Sequence, residues 1–175
     1  VNASAWDCTL EPMAGKTMAV RMGFRMVKGL PTLHADAIIA RRGQGYRSVD
    51  AVWRGAGVPV AALERIAEAD GFHALGMDRR GALWAIRGLS DGQLPLFDLL
   101  PSAPADEPPV PLPAMPQGQQ VVADYRSTGL SLRRHPVSFL RADLDARRIV
   151  RCADLATIRD GRRVQWARNA QHSLK

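Results

Sequence analysis

Cysteine is scarce in this sequence. Cys8 and Cys152 lie far apart and match no zinc-ligand spacing, which excludes a disulfide framework and a zinc module; two reduced thiols are expected. The four histidines (His34, His73, His135, His172) are scattered and form no metal cluster. No apolar run approaches the ~18 residues that a membrane-spanning helix needs. Nothing after Val1 reads as a basic-then-apolar secretory leader, so the cytoplasm is the expected compartment. The first residue is Val1 and not Met, and we expect a processed or partial product. Catalytic signatures are also missing. There is no Ser/His/Asp set in motif context, no P-loop and no dinucleotide fingerprint. The nearest carboxylate pairs, Asp106/Glu107 and Asp143/Asp145, fall in a linker and on a surface helix. Neither offers the cluster that a catalytic metal ion requires, so no cofactor is expected in this chain.

What is present allows one or two small domains. The chain has 175 residues, of which 46% are apolar, with 12 prolines and 15 glycines that imply much loop. The formal net charge of +7 is uneven. Residues 1–30 and 31–88 carry +2 each, 89–120 carry −4, and 121–175 carry +7. A basic excess favours polyanionic partners through counterion release. Solubility alone, or an arginine-rich coding style, would produce the same charge.

The organising stretch is Gly23-Phe24-Arg25-Met26-Val27-Lys28-Gly29-Leu30-Pro31. It reads as a brief helical turn, a glycine hairpin and the start of a longer helix. Gly29 has no Cβ and can take φ > 0. The helix beyond it presents free N–H groups and a positive dipole end, a ready seat for a phosphate, with Lys28 and Arg25 beside it. On spacing alone, a packing corner without a ligand is an equal alternative.

Around it, two period-2 runs (Trp6 to Leu10, Met18 to Met22) flank a Pro/Gly turn and predict a β-hairpin that must lean on a neighbour. Thr32 is expected to cap a helix over 32–42, with Leu33, Ala37, Ile38 and Ala40 on its buried side. Ser48 caps a second helix over 49–55. Gly57-Val58-Pro59 is a second corner, opening a helix over 60–69 built on Leu63, Ile66 and Ala67. Asp78 caps a fourth helix, with Leu83, Trp84 and Ile86 expected in the core. The aromatics Tyr46, Trp53, Phe72 and Trp84 read as core rather than base-stacking residues. Residues 89–118 hold eight prolines and read as an extended acidic linker. One island in it, Gln93-Leu94-Pro95-Leu96-Phe97, has the make-up of a peptide that docks into a partner's groove. A helix over 119–127, a short helix over 137–144 and strand-like runs at Ile149-Val150 and Ala153 to Ala156 follow. Asp160-Gly161 marks a turn, and the pattern decays past Val164.

Several of these stretches resemble one known family, in its order. They are Val1-Asn2-Ala3-Ser4-Ala5-Trp6-Asp7-Cys8-Thr9-Leu10-Glu11, the run from Ala19 through Gly23-Phe24-Arg25-Met26-Val27-Lys28-Gly29-Leu30, and Tyr46-Arg47-Ser48-Val49. Ala69-Asp70-Gly71-Phe72, Asp78-Arg79-Arg80-Gly81-Ala82-Leu83-Trp84 and Gly129-Leu130-Ser131-Leu132-Arg133-Arg134-His135-Pro136 continue it. Together they resemble the segment after the fingers of C-family bacterial DNA polymerases, most closely the error-prone, polymerase III alpha-like branch used in damage tolerance.

The resemblance implies a mainly α fold in four parts. Residues 1–30 would be a β-hairpin and the end of the fingers, 31–88 a tandem helix-hairpin-helix module, 89–118 the Pro-rich linker, and 119–175 a helical connector and the start of a truncated OB-fold. It implies binding of the duplex backbone, without sequence preference, by Arg25, Lys28, Gly29, Leu30, Gly57 and Val58, and contact of the OB portion with single-stranded DNA. Gln93, Leu94, Leu96 and Phe97 resemble the sliding-clamp-binding peptide of replicative members; error-prone members often reach the clamp through an accessory protein instead. The palm, with its three aspartates and its Mg2+, would lie upstream, so this chain is expected not to polymerise. A tether for a clamp or accessory protein, and a non-functional remnant of a split gene, are the alternatives.

Overall fold

The helices of this protein are too short to stand alone. In the computed structural model, which describes residues 1–13, 17–89 and 112–166, α1 (Thr32–Ala40), α2 (Val49–Ala56), α3 (Val60–Glu68) and α4 (Arg79–Arg87) have 8 or 9 residues each. Isolated helices below ~12–15 residues are marginal in water, so burial of their apolar sides must hold them. Ile38, Val52, Leu63, Ile66, Phe72 and Ile86, drawn from all four helices and the α3–α4 connection, are fully buried together. The Ser48 hydroxyl accepts the Ala51 N–H and the Asp78 carboxylate accepts the Gly81 N–H, so both expected caps are present.

Other expectations change. Thr32 is the first residue of α1, and Pro31 stands at the cap position with no side-chain acceptor for the first-turn amides. Leu33 is 74% exposed and Ala40 is exposed; Ala35 and Ile38 form the buried side. The helix is apolar nearly all round, so periodicity could not say which side faces inward. Trp84 is 57% exposed, because Ala82 and Ile86 take the inward positions of α4. Tyr46 and Phe72 are core, as expected, and Trp53 is half-buried with the Arg54 guanidinium 5.5 Å above its ring.

The N-terminal segment is laced onto the helices. Asn2 exchanges two hydrogen bonds with the Tyr46 backbone, and the amides of Phe24 and Arg25 donate to the carbonyls of Ala5 and Trp6. Gly23 leaves no room for a side chain: a Cβ there would lie 2.3 Å from backbone atoms of Trp6 and Asp7. The expected hairpin forms from β1 (Thr9–Pro12) and β2 (Met18–Arg21), antiparallel with Leu10 opposite Val20. Glu11 and Arg21 form a two-pronged ion pair on one face. Leu10, Met18 and Val20 remain exposed on the other, although this face was expected to lean on a neighbour.

After the linker, α5 (Gln117–Ser127) packs on α3 and belongs to the same compact unit, which spans Val1–Leu130. The division of the chain therefore falls after Leu130, whereas the sequence suggested residue 119. Arg79 and Asp124, 6% and 8% exposed, form a buried ion pair between α4 and α5, and Arg79 also donates to the Gln120 carbonyl. The second unit begins at Ser131. It has a 3-10 turn at Pro136–Leu140, α6 (Arg141–Ala146), and two parallel two-residue strands, β3 (Ile149–Val150) and β4 (Gln165–Trp166). Ala153 to Ala156, which read as strand-like, lie in a 3-10 helix over Cys152–Thr157. Among the described residues of this unit no side chain is buried.

For stability, Arg79→Ala or Asp124→Ala, measured by urea unfolding, should each cost about 3–5 kcal/mol, because the remaining buried charge loses its oppositely charged neighbour; Arg79→Met with Asp124→Leu should recover most of it. Equal losses in single and double variants would show that the charges do not meet.

Candidate nucleic-acid interface

The molecule makes one backbone corner twice. Gly29-Leu30-Pro31 and Gly57-Val58-Pro59 share the pattern glycine, apolar residue, proline, helix. Both glycines are left-handed, with φ +76° and +64°, where a Cβ would be strained. Both apolar residues point inward, Leu30 at 6% and Val58 at 2% exposure. Both prolines occupy the cap position, with φ −65° and −67°, and neither α1 nor α3 receives a side-chain cap. Ser48 and Asp78 cap α2 and α4, by contrast. The two helices that leave the corners therefore begin with first-turn amides unclaimed by side chains, where the positive end of the dipole also lies.

The first corner is exposed at Lys28 and Gly29 and is anchored by Phe24 and Leu30. The Lys28 amide donates to the Ser127 carbonyl at 2.8 Å, and its ammonium donates to the Tyr125 carbonyl at 3.0 Å. The lysine thus sits over the C-terminal end of α5, where a cation is favoured by the dipole. Arg25 forms an exposed ion pair with Asp7 at 2.6 Å. At the second corner, Gly57 closes α2 and its amide donates to the Trp53 carbonyl. The side chains of Leu30 and Val58 are turned inward, out of reach of a ligand, and the Leu30 amide donates to the Val27 carbonyl at 3.3 Å. Gln93, Leu94, Leu96 and Phe97 lie outside the described residues.

Two arginines that sequence reading did not single out also belong here. A Cβ on Gly29 would stand 3.5 Å from Arg65 Nε, and one on Gly57 would stand 3.1 Å from Arg41 Nη1. Arg65 is part of α3 and Arg41 follows α1, so each comes from the neighbouring hairpin. No spacing rule links them to the glycines; only the packing of the helices does. Among the described residues, no group of three or more His, Cys, Asp or Glu side chains converges to hold a metal ion.

A helix start with unclaimed amides is in general a favourable place for an anion. Comparison with known proteins finds the corner's motif elsewhere. A family model described as "Helix-hairpin-helix motif" matches residues 1–82. The chain is 49% identical to Error-prone DNA polymerase 2 of Rhizobium meliloti and to Error-prone DNA polymerase 2 of Agrobacterium fabrum, and 50% identical to Error-prone DNA polymerase 1 of Rhizobium meliloti. Each alignment covers 95% of this chain but only 16–17% of the relative. Over nearly all its length, then, the chain is similar to one segment, about a sixth as long as the whole, of these error-prone DNA polymerases.

Proposed function

We propose that this chain is the duplex-holding part of an error-prone DNA polymerase acting in translesion synthesis during damage-induced replication and repair, in the cytoplasm. In this reading it grips the sugar-phosphate backbone at the Gly29 and Gly57 corners, with no base preference. The duplicated glycine–apolar–proline corner, with uncapped helix starts at the exposed surface, is the observation that carries the reading. The net charge of +7 supports it. Nucleotidyl transfer and Mg2+ would belong to a palm region elsewhere in a relative-sized polymerase, and not to this chain.

The second unit is, in the same reading, the beginning of an OB-fold that meets single-stranded DNA. Its described strands, β3 and β4, would belong to that barrel's sheet. An open, largely apolar cleft of about 460 Å³ in it is lined by Val137, Val150 and Cys152, with Arg141 and Arg151 also in the lining, and would be where a strand's bases and phosphates meet this unit.

Fluorescence anisotropy with labelled duplexes of several sequences tests the grip. Affinities should agree across sequences and fall linearly with the logarithm of salt concentration. Lys28→Ala, which frees the first corner from α5, should weaken binding by a similar factor on every duplex and at every salt concentration. No binding at low salt by the unaltered chain would defeat the reading.

The Gln93 to Phe97 island is proposed to dock a sliding clamp or an accessory protein. Capture of purified clamp by the unaltered chain, lost on Gln93→Ala with Phe97→Ala, is the expected result; equal recovery refutes it.

A further inference from the structure

We infer that the two corners are crossed: a phosphate at Gly29 is held by the guanidinium of Arg65, and a phosphate at Gly57 by that of Arg41. This rests on the backbone-gripping reading above and assigns the side chains that complete each seat. The observation is reciprocal. The guanidinium nearest the Gly29 corner belongs to the second hairpin's outgoing helix, with Nε 3.5 Å from where a Cβ would be. The guanidinium nearest Gly57 follows the first hairpin's outgoing helix, with Nη1 at 3.1 Å. Both arginines are exposed. Among the described residues Arg65 pairs with Glu68 at 3.0 Å, a solvent-exposed contact that is worth little. Arg41 spends one N–H on the Ala56 carbonyl and has four more. Arginine's planar fork suits two oxygens of one phosphate, while the corner's amides take the others.

The cationic groups named from sequence are differently placed. Lys28 bonds to α5, and Arg25 pairs with Asp7. In the crossed arrangement neither hairpin forms a complete seat alone. Each supplies the amides of one site and the charge of the other, so the tandem pair is the smallest binding unit.

A double-mutant cycle on the full 175-residue chain, read by duplex binding across a salt series, tests this. Arg41→Ala and Arg65→Ala should each lower the salt slope by about 0.9, one phosphate's worth of released counterion. Arg54→Ala, an exposed arginine paired with Asp50, should leave it unchanged. Gly29→Ala with Arg65→Ala, and Gly57→Ala with Arg41→Ala, should lose less affinity than the product of their single losses, by more than about two-fold. The opposite pairings, Gly29→Ala with Arg41→Ala and Gly57→Ala with Arg65→Ala, should multiply within about two-fold.

Thermal melts establish folding. Arg41→Lys and Arg65→Lys should keep the slope while weakening affinity, so the test survives if removal of the Arg41 contact to α2 unfolds the chain. Slopes unchanged in both arginine-to-alanine variants would overturn the assignment and leave duplex binding by the corners intact. Coupling within the opposite pairings would overturn the crossing. An unaltered chain that does not bind duplex at all would defeat both readings together.

Discussion

Everything in the first unit depends on a single backbone demand. The chain must turn through a left-handed residue at the surface and send the very next side chain into the core. Only glycine meets the first half without strain, and only an apolar residue meets the second. A proline after these two sets φ near −65°, directs the chain into a helix and offers no cap of its own. The outcome is a helix start with its amides facing out, fixed from beneath by Leu30 or Val58. Rigidity and openness come from the same three residues. Replacing the apolar one would loosen the seat from below, although that side chain never meets a ligand.

The second constraint is electrostatic and ties α5 to this frame. Lys28 covers the carbonyl end of α5 at its C-terminus, while Arg79 meets Asp124 farther back in the same helix. The Lys28 contact draws on the favourable meeting of a cation with a helix C-terminus. The Arg79 contact is a buried pair, whose net contribution is small but whose disruption is costly. Such a pair works better as a register device than as glue. It links α5 to α4 across the long proline-rich segment that precedes α5 in sequence. The first corner and α5 are therefore mechanically joined through Lys28, a residue whose charge alone would mark it for a phosphate.

Much of this was legible in the amino-acid sequence, for identifiable reasons. Ser48 and Asp78 precede amphipathic runs, and capping is a local matter, so both were found with their roles. Gly29 and Gly57 stand at breaks between apolar segments, and both proved left-handed. Legibility failed where the answer was not local. The apolar character of α1 extends around the helix, so Leu33 and Ala40 could not be told from Ala35 and Ile38. Trp84 looked buried by residue type, yet the two small and branched residues beside it, Ala82 and Ile86, hold the inward face. Arg41 and Arg65 carry no motif at all. Their nearness to the glycines of the opposite hairpin is a product of packing among α1, α2 and α3, which no one-dimensional spacing encodes.

That last failure has a thermodynamic side. Helices of 8 or 9 residues have little stability of their own, so the open amides at the starts of α1 and α3 exist only while the four-helix core is assembled. An anion seated at a corner binds the folded state and not the unfolded one, and so must stabilise the whole core by mass action. The reverse holds as well. A truncated core side chain such as Ile66, remote from any phosphate, would weaken binding by lowering the folded fraction. Its effect would be a uniform loss at every salt concentration. Removal of a contacting cation would change the salt slope itself. Slope and intercept therefore separate residues that build the corner from residues that grip through it.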